Sequence, residues 1–524
     1  MKKMLLGTMA LTLSLGAFSK ENFKTYFSPY QGEEAFSEMF DKISNAKDYA
    51  YITVYSWSMR NKLEDSISAA CKNGAKVYVV INNDQQESRE DREAGNFKKM
   101  IKVKQDVIEP LEEDCAEFKY TNKTMHEKFV IVDDEYMINS SANFSGGAIT
   151  RYSENFISFT DNKSVKGEAG EGMIKALKEE FEVLFNYSKN PDYDKDGAPK
   201  LIQENTVVDG KIDHSPNLSD EISFYSTTMN HEYSVSSRTP REGNYMRGRR
   251  IYDCKKDGKA IRTTNRRECD NKPEYSSIVV GMLEKEIKAA KKSVFLGVNY
   301  LIYDSVCDAV IGAVEKGLDV RIITDNKQMK SRKDCTRILS EKYAKDSEIV
   351  NKFRYKTYSH FPSRESNYLQ HSKYILIDYI PSAAKPVSAD TKLITGSHNI
   401  SYKAENSNFE NMVLFETEKF EDIYSAFYKD FNYLYTLGRT KSDEIDNKVR
   451  ERVLSATEDG AYKIHFLEEE DVMAMTYKEY KALRKDLLKK APGMLDYNVP
   501  KETLEGCRYF NPKTKKYFGG RGCR

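Results

Sequence analysis

This chain of 524 residues carries one pattern of histidine, lysine and aspartate twice. The first copy reads His126-Glu127-Lys128-Phe129-Val130-Ile131-Val132-Asp133 and the second His371-Ser372-Lys373-Tyr374-Ile375-Leu376-Ile377-Asp378. Both are H-x-K-x-x-x-x-D. Each is followed by Ser-x-Asn (Ser141 and Asn143; Ser397 and Asn399) and then by Glu-Asn (Glu154-Asn155; Glu410-Asn411). From Asp to Ser the interval is 8 residues in the first copy and 19 in the second; from Ser to Glu it is 13 in both. One 11-residue insertion between Ile380 and Thr391 restores the register. A single H-x-K-x-x-x-x-D is weak evidence. Two copies with matched satellites imply an internal duplication, and so two similar structural units.

The segments around each copy support that division. Ala50 to Ser56 is a β-branched and aromatic run, expected as a strand. A helical segment follows to Ala70 and stops at Asn73-Gly74, and Lys76 to Asn82 is a second strand. In the second half, Ser293 to Asn299 is a strand, Ser305 to Lys316 a helix stopped by Gly317, and Val320 to Thr324 a strand. Strand, helix, glycine stop and buried strand make a β-α-β crossover in each half. Helices are also expected at Glu33 to Asn45, Gly167 to Phe185, Tyr275 to Lys291 and Lys419 to Leu437. The fold expected is α/β, with two similar lobes packed as a pseudo-twofold pair around one active site. Lobe 1 spans residues 20–188, a polar linker 189–218, lobe 2 219–440 and a helical tail 441–524. Residues 230–275 of lobe 2 have no counterpart in lobe 1 and read as a basic insert.

The apolar alternation places each motif on a strand. Histidine and lysine two residues apart then project from one side, aiming an imidazole and an ammonium at one point. Serine and asparagine, two apart on the next segment, can do likewise. Two imidazoles, two ammoniums and two amides suit a phosphoryl centre. Lysine and asparagine would stabilise charge on the non-bridging oxygens. One neutral histidine would attack phosphorus while the other protonates the leaving oxygen. A glutamate on the rear ring nitrogen would fix the tautomer.

These residues resemble the phospholipase D superfamily, whose motif is H-x-K-x-x-x-x-D followed by G-S-x-N and a downstream glutamate. Thr395-Gly396-Ser397-His398-Asn399 matches it, while Asn139-Ser140-Ser141-Ala142-Asn143 has Ser140 in the glycine position. The resemblance implies two α/β lobes sharing one site, a covalent phosphohistidine, and neither metal nor cofactor. It implies His126 as nucleophile and His371 as general acid. Lys128, Lys373, Ser141, Ser397, Asn143 and Asn399 would complete the site, Glu154 and Glu410 would orient the histidines, and Asp133 and Asp378 would brace the motif.

Met1-Lys2-Lys3, the apolar stretch Met4 to Ala17 and Ala17-Phe18-Ser19 read as a secretory signal peptide over residues 1–19. About 14 apolar residues are too few for a bilayer span of roughly 20. A periplasmic or secreted protein is therefore expected. Eight cysteines fit that compartment. Proximity favours the pairs Cys71–Cys115, Cys254–Cys269, Cys307–Cys335 and Cys507–Cys523, with free buried thiols as the alternative. No C-x-x-C or Cys/His cluster supports zinc. Asp192-x-Asp194-x-Asp196-Gly197 is the front half of a calcium loop, but Gln203 stands where a bidentate glutamate is wanted, so a linker is the preferred reading.

The substrate is less constrained than the reaction. A net charge of +1 excludes a globally basic polyanion binder. Charge is local instead: Arg238 to Glu268 holds 11 Lys/Arg against four acids, and Cys507 to Arg524 holds six and no acid. Arg247, Arg249 and Arg250 with Tyr245 and Tyr252 would suit capture of a polyanion. So would Arg508, Lys513, Lys515 and Lys516 with Tyr509, Phe510, Tyr517 and Phe518. Basic groups among aromatics serve a nucleic-acid strand or an anionic membrane surface. Three readings stand: hydrolysis of a phospholipid head group, with peripheral membrane contact; a secreted nuclease; and a non-catalytic binder of membrane or polyanion. Two half-sites in one chain require no partner subunit, so a monomer suffices.

Overall fold

The computed structural model describes residues 22–436 except 56, 58–59, 83–114, 122, 162–167, 189–206, 209–210, 213–220, 236–245, 326–327, 329–330, 344–352, 358–368 and 382; it also describes 510–511 and 516–517. The expected signal peptide, the Asp192–Gln203 segment, Arg508 and the Cys507–Cys523 pair lie outside the described residues.

The first lobe is built from β1 (Phe23–Ser28), α1 (Gly32–Ser44), β2 (Tyr49–Val54), α2 (Arg60–Lys72), β3 (Lys76–Asn82) and β4 (Ala116–Thr121), followed by β5 (Thr124–Met125), β6 (Phe129–Val132), β7 (Tyr136–Ser140), α3 (Gly146–Thr150), β8 (Glu154–Thr160) and α4 (Glu168–Tyr187). Its sheet has seven strands in the order β1-β8-β7-β6-β2-β3-β4. Strands β2, β3 and β4 run parallel, and the other pairings are antiparallel. Two short strands, β9 (Val207–Val208) and β10 (Lys211–Ile212), precede the second lobe. The second lobe opens with β11 (Ile222–Ser226), and the insert adds β12 (His231–Val235), β13 (Met246–Arg250), β14 (Tyr252–Lys256), β15 (Lys259–Thr263) and β16 (Glu274–Tyr275). Then come α5 (Ile278–Ala289), β17 (Ser293–Val298), α6 (Asp304–Glu315), β18 (Asp319–Thr324), α7 (Cys335–Tyr343), β19 (Phe353–Thr357), β20 (Lys373–Ile377), β21 (Lys392–Gly396), α8 (Tyr402–Ser407), β22 (Asn408–Phe409), β23 (Asn411–Phe415) and α9 (Glu421–Thr436). The second sheet runs β11-β23-β21-β20-β17-β18-β19, position for position the order of the first.

Strand alternation splits each sheet between two cores. In β20, Tyr374 and Leu376 enter a cluster shared by both lobes, while Ile375 and Ile377 enter one confined to the second lobe. In β6, Ile131 faces the shared cluster and Val130 and Val132 the core of the first lobe. The shared cluster is filled by α4 (Met173, Leu177, Phe181, Leu184) and α9 (Ile423, Tyr424, Phe427, Phe431, Leu434), whose apolar residues recur every three or four positions. Burying each such side chain stabilises the packed lobes by roughly 2 kcal/mol. On the outer face of the first sheet, Ala35, Phe36, Met39, Phe40 and Ile43 of α1 cover the core. The crossover helices α2 and α6 are followed by Gly74 and Gly317 at φ +86° and +77°, a conformation that side-chain-bearing residues rarely adopt.

Three disulfides form as expected: Cys71–Cys115 ties α2 to the start of β4, Cys307–Cys335 ties α6 to α7, and Cys254–Cys269 closes the insert. Loops of 44, 28 and 15 residues correspond to about 3–4 kcal/mol each from restricting the unfolded chain. The expected linker is not wholly a linker: β9 and β10 pair as a hairpin and extend the insert's sheet in the order β13-β12-β10-β9. The remaining strands of the basic insert make a second small sheet, β15-β14-β16. No described helix is long and apolar enough to cross a membrane.

Candidate active site

Both histidines stand just before the central strand of their sheet, at the ends of the parallel strands. Backbone bonds carry each across to the other lobe. The His126 N–H donates to Phe409 O at 2.9 Å, and the His371 N–H to Ser153 O at 3.0 Å. Phe409 and Ser153 immediately precede Glu410 and Glu154. The glutamates therefore arrive beside the histidine of the opposite lobe: His126 Nδ1 is 2.7 Å from Glu410 Oε2, and His371 Nδ1 is 2.8 Å from Glu154 Oε1. With Nδ1 held from behind, Nε2 is the free nitrogen of each ring. The two histidines are nearly buried, 7% and 9% exposed.

The serines do not join the lysines and asparagines around a phosphoryl group, as their spacing led us to expect. Ser141 Oγ donates to Glu154 Oε2 at 2.6 Å, and Ser397 Oγ to Glu410 Oε2 at 2.9 Å. Each also accepts the following Glu-Asn amide, from Asn155 N and Asn411 N, at 3.0 Å. They are completely buried and hold the glutamates. Strand alternation puts Ser and Asn on one side, but the chain turns out of β7 and β21 at this point, so alternation no longer sets direction. Asn143 and Asn399 stay half-buried, with Oδ1 buried and unpartnered among the described residues. Lys128 and Lys373 each donate to the carbonyl oxygen of their own histidine, His126 and His371, and are 1% exposed.

Asp133 and Asp378 sit at the far end of the motif strands, both at positive φ. Asp133 accepts from the backbone N–H groups of Lys47, Asp48 and Tyr49, at 2.8–2.9 Å. Asp378 accepts from Lys291, Lys292 and Ser293, at 2.6–3.1 Å. Each clamps the entry of the neighbouring strand, so it fixes the strand that carries His and Lys and does not touch the centre. The extra residues after Asp378 lie in the loop between β20 and β21, at this same far end. Ser140 replaces glycine at no cost in geometry: its Oγ is 3.3 Å from both Lys128 O and Ala142 N. A Cβ at Gly396 would instead meet Asn411 O at 2.3 Å.

Burial dominates the electrostatics. It pulls His126 down to about 3, with Glu410 opposing and Lys128 assisting, and it lowers His371 likewise. It lowers Lys128 to about 7 and Lys373 to about 8. Burial pushes Glu410 upward, but His126 and Lys128 outweigh it and hold the carboxyl below its usual range. An entering phosphodiester would add one negative charge, which one imidazolium could offset.

Several residues here carried no signal in the motif. Tyr55 packs edge-on against His126, ring centroids 5.0 Å apart, and lies 5.5 Å from Lys128 Nζ. Asn155 and Asn411, quoted only as spacing markers, cross between lobes. Asn155 bonds Thr395 Oγ1 and Lys373 N, and Asn411 bonds Asn139 Nδ2 and Glu127 Oε2. Glu127 is completely buried, against Glu180. Of the three candidate arginines Arg247, Arg249 and Arg250, the first two are exposed on β13 while Arg250, facing the other way, is half-buried. No group of three or more His, Cys, Asp or Glu that could hold a metal ion occurs among the described residues.

A paired, internally duplicated His-Lys-Asp centre on two matching seven-stranded sheets defines the class. A family model described as the PLD-like domain of cardiolipin synthase matches residues 39–182 and 283–435, more than half of the chain. The chain belongs to this phospholipase D-like family. No curated protein matches it by sequence. Among solved structures, phosphatidylserine synthase from Haemophilus influenzae Rd KW20 is 13% identical, with a TM-score of 0.51, over 91% of this chain and 96% of that one. That likeness is one of fold. Polyphosphate kinase from Porphyromonas gingivalis gives a TM-score of 0.42 at 12% identity over 79% of this chain, which spans about half (50%) of the kinase. Nuc, a phospholipase D family member from Salmonella typhimurium, gives 0.24 at 20% identity, over 32% of this chain and 96% of its own.

Proposed function

We propose that the protein is an exported phosphodiesterase that cleaves the head group from a phospholipid through a covalent phosphohistidine. The crossed His–Glu pairs carry this reading, because they present two oriented, mostly neutral imidazoles to one point between two ammoniums. His126 Nε2 attacks phosphorus. The head-group oxygen leaves and takes a proton from His371, which acquired it as the phosphodiester anion entered. Water then attacks phosphorus, its proton returns to His371, and the P–N bond to His126 breaks. Lys128, Lys373 and the amides of Asn143 and Asn399 offset charge on the non-bridging oxygens. His126 takes the nucleophile's part in this reading; its surroundings differ from those of His371 in the Tyr55 ring packed edge-on against it, where the second lobe has the polar Asn299.

The names borne by the family model and by the phosphatidylserine synthase favour a phospholipid over a nucleic acid. They equally raise a second reading, transfer of the phosphatidyl group to an alcohol in place of water. One assay separates these outcomes: purified mature protein on phosphatidylcholine, cardiolipin, single-stranded DNA and duplex DNA, with and without added glycerol. Release of head group or phosphatidic acid from lipid supports the hydrolase, and a phosphatidyl-glycerol product supports transfer. Cleavage of DNA with lipids untouched would sink the lipid reading. Export is checked by fractionating cells that express the full chain and asking whether residues 1–19 are absent from the extracytoplasmic form.

A further inference from the structure

Three nitrogen-bearing side chains from separate elements meet beside the paired half-sites. Lys123 lies between β4 and β5, three residues before His126, and its Nζ is 2.7 Å from His231 Nε2. His231 opens β12 in the insert, and its partner across β13 is Arg250. Arg250 lies 4.0 Å over the ring of Tyr275 and donates to the backbone and side-chain oxygens of Asn406. Asn406 belongs to α8, which leads through Asn408 to Glu410. Lys123 Nζ is also 5.5 Å from the ring centroid of Phe409, the residue before that glutamate. The short turn before His231 is tied to the same strand: Thr227 N donates to Glu410 O, and Thr227 Oγ1 to Asn408 O, both at 2.9 Å. The insert thus docks on the two segments that deliver His126 and Glu410.

No carboxylate is paired with these cations among the described residues. Glu405, nearby on α8, is bonded to Asn230 Nδ2 at 2.8 Å and to Val280 N at 3.2 Å. Arg250 Nε is buried without a hydrogen-bond partner among the described residues. Burial, and then Arg250, bring Lys123 down to about 8. Burial, and then Lys123, hold His231 near 3, so its neutral ring accepts from the ammonium. Like charges kept half-buried and uncompensated are unfavourable until an anion joins them.

We infer that Lys123, His231 and Arg250 form a second anion subsite, which takes a phosphate of the substrate phospholipid other than the one that is cleaved. This rests on the phospholipid reading above. Two of the three exposed large hydrophobic side chains among the described residues flank the subsite: Tyr275, under Arg250, and Tyr402, at the start of α8. Tyrosines at such a rim suit the head-group level of a membrane. Tyr275 has Arg250 over its ring and Tyr252 stacked at 5.1 Å, so it is poorly placed to stack a nucleic-acid base.

The test compares kcat/KM for cardiolipin, which carries two phosphodiesters, with that for phosphatidylcholine, which carries one, in the same mixed micelles. Lys123→Met and Arg250→Gln should each lower the preference for cardiolipin about tenfold, mainly through KM, as expected for a lost charge-assisted contact. Equal losses on both lipids overturn the subsite. Losses confined to single-stranded DNA overturn its assignment to lipid. If the variants fail to fold, the wild-type chain still decides: KM for cardiolipin should rise more steeply with salt than KM for phosphatidylcholine, and parallel slopes refute the idea. A wild-type chain that cleaves bis-(p-nitrophenyl) phosphate but no lipid refutes the phospholipid reading itself, a result distinct from an unchanged preference.

Discussion

The two half-sites share their reactive atoms and differ in what surrounds them. Both have a histidine backed by the other lobe's glutamate, a lysine on its own histidine's carbonyl and a serine behind the glutamate. Behind these, symmetry breaks. The residue between His and Lys is Glu127 in the first lobe, buried against Glu180, and Ser372 in the second, with its Oγ 2.6 Å from Ser153 Oγ. Tyr55 packs on His126, whereas the corresponding Asn299 donates to the Gln370 carbonyl. Asn139 stands where the second lobe has Thr395. Duplication accounts for the shared chemistry. Divergence of the surroundings is what would let one histidine attack while its twin donates a proton.

The sharpest way to break that division is to remove each histidine in turn. His126→Ala and His371→Ala should each lower steady-state turnover of bis-(p-nitrophenyl) phosphate by about 100- to 10,000-fold. p-Nitrophenolate leaves without protonation, so His371→Ala should still release a burst of one equivalent and trap phosphohistidine. His126→Ala should give no burst. A burst from His126→Ala would reverse the roles. Next in size, Glu410→Gln should cost about 100-fold or more and abolish the burst, as loss of a histidine-orienting carboxylate does. Glu154→Gln should slow turnover and leave the burst. The opposite pattern would mean that the crossed pairs do not govern the histidines as their geometry implies.

A smaller difference separates the aspartates. Asp378 is 2% exposed and Asp133 is half-buried, so the same three-amide clamp is drier in the second lobe. Thermal unfolding should show Asp378→Ala losing about 3 kcal/mol and Asp133→Ala about 1.5 kcal/mol, the two ends of the range for hydrogen bonds to a charged group. Equal losses would show that burial does not distinguish the two clamps.

Which residues the sequence could reveal follows from the range of the interaction involved. The β-α-β units, the sheet strands and three disulfides are local in the chain, and alternation, glycine stops and cysteine proximity expose them. The paired histidines, lysines and glutamates were legible because duplication printed them twice. The pairing among them was not: which glutamate serves which histidine depends on contacts 284 and 217 residues apart, and spacing within one copy favours neither. The serines were misread because the strand ends before them. Lys123, His231, Tyr55 and Glu180 occur once, so no repeat marks them. The strands of the insert were not anticipated because they are short and half-exposed, without the apolar runs that betray the core.

The smallest effect concerns Glu127, and it asks whether the first lobe's altered surroundings cost stability. Burial first, then Glu180, raise the Glu127 carboxyl well above its ordinary range, and Asn411 Nδ2 at 3.0 Å only partly opposes this. Ser226 Oγ adds a contact at 2.9 Å to Glu180 Oε1, and Thr228 Oγ1 one at 2.7 Å to Oε2. The pair is therefore held with a proton in the folded chain that the unfolded chain releases in the usual carboxyl range. Folded-state affinity above unfolded affinity gives stability that is complete below the unfolded pKa and fades as pH rises toward the folded one. Unfolding of the wild-type chain should thus become easier from mildly acidic to alkaline pH. Glu127→Gln keeps the shape and a donor but cannot ionise, so its stability should change less over the same span. Parallel pH profiles for the two chains would show that the carboxyl pair holds no such proton, and that the lobes differ there in shape alone.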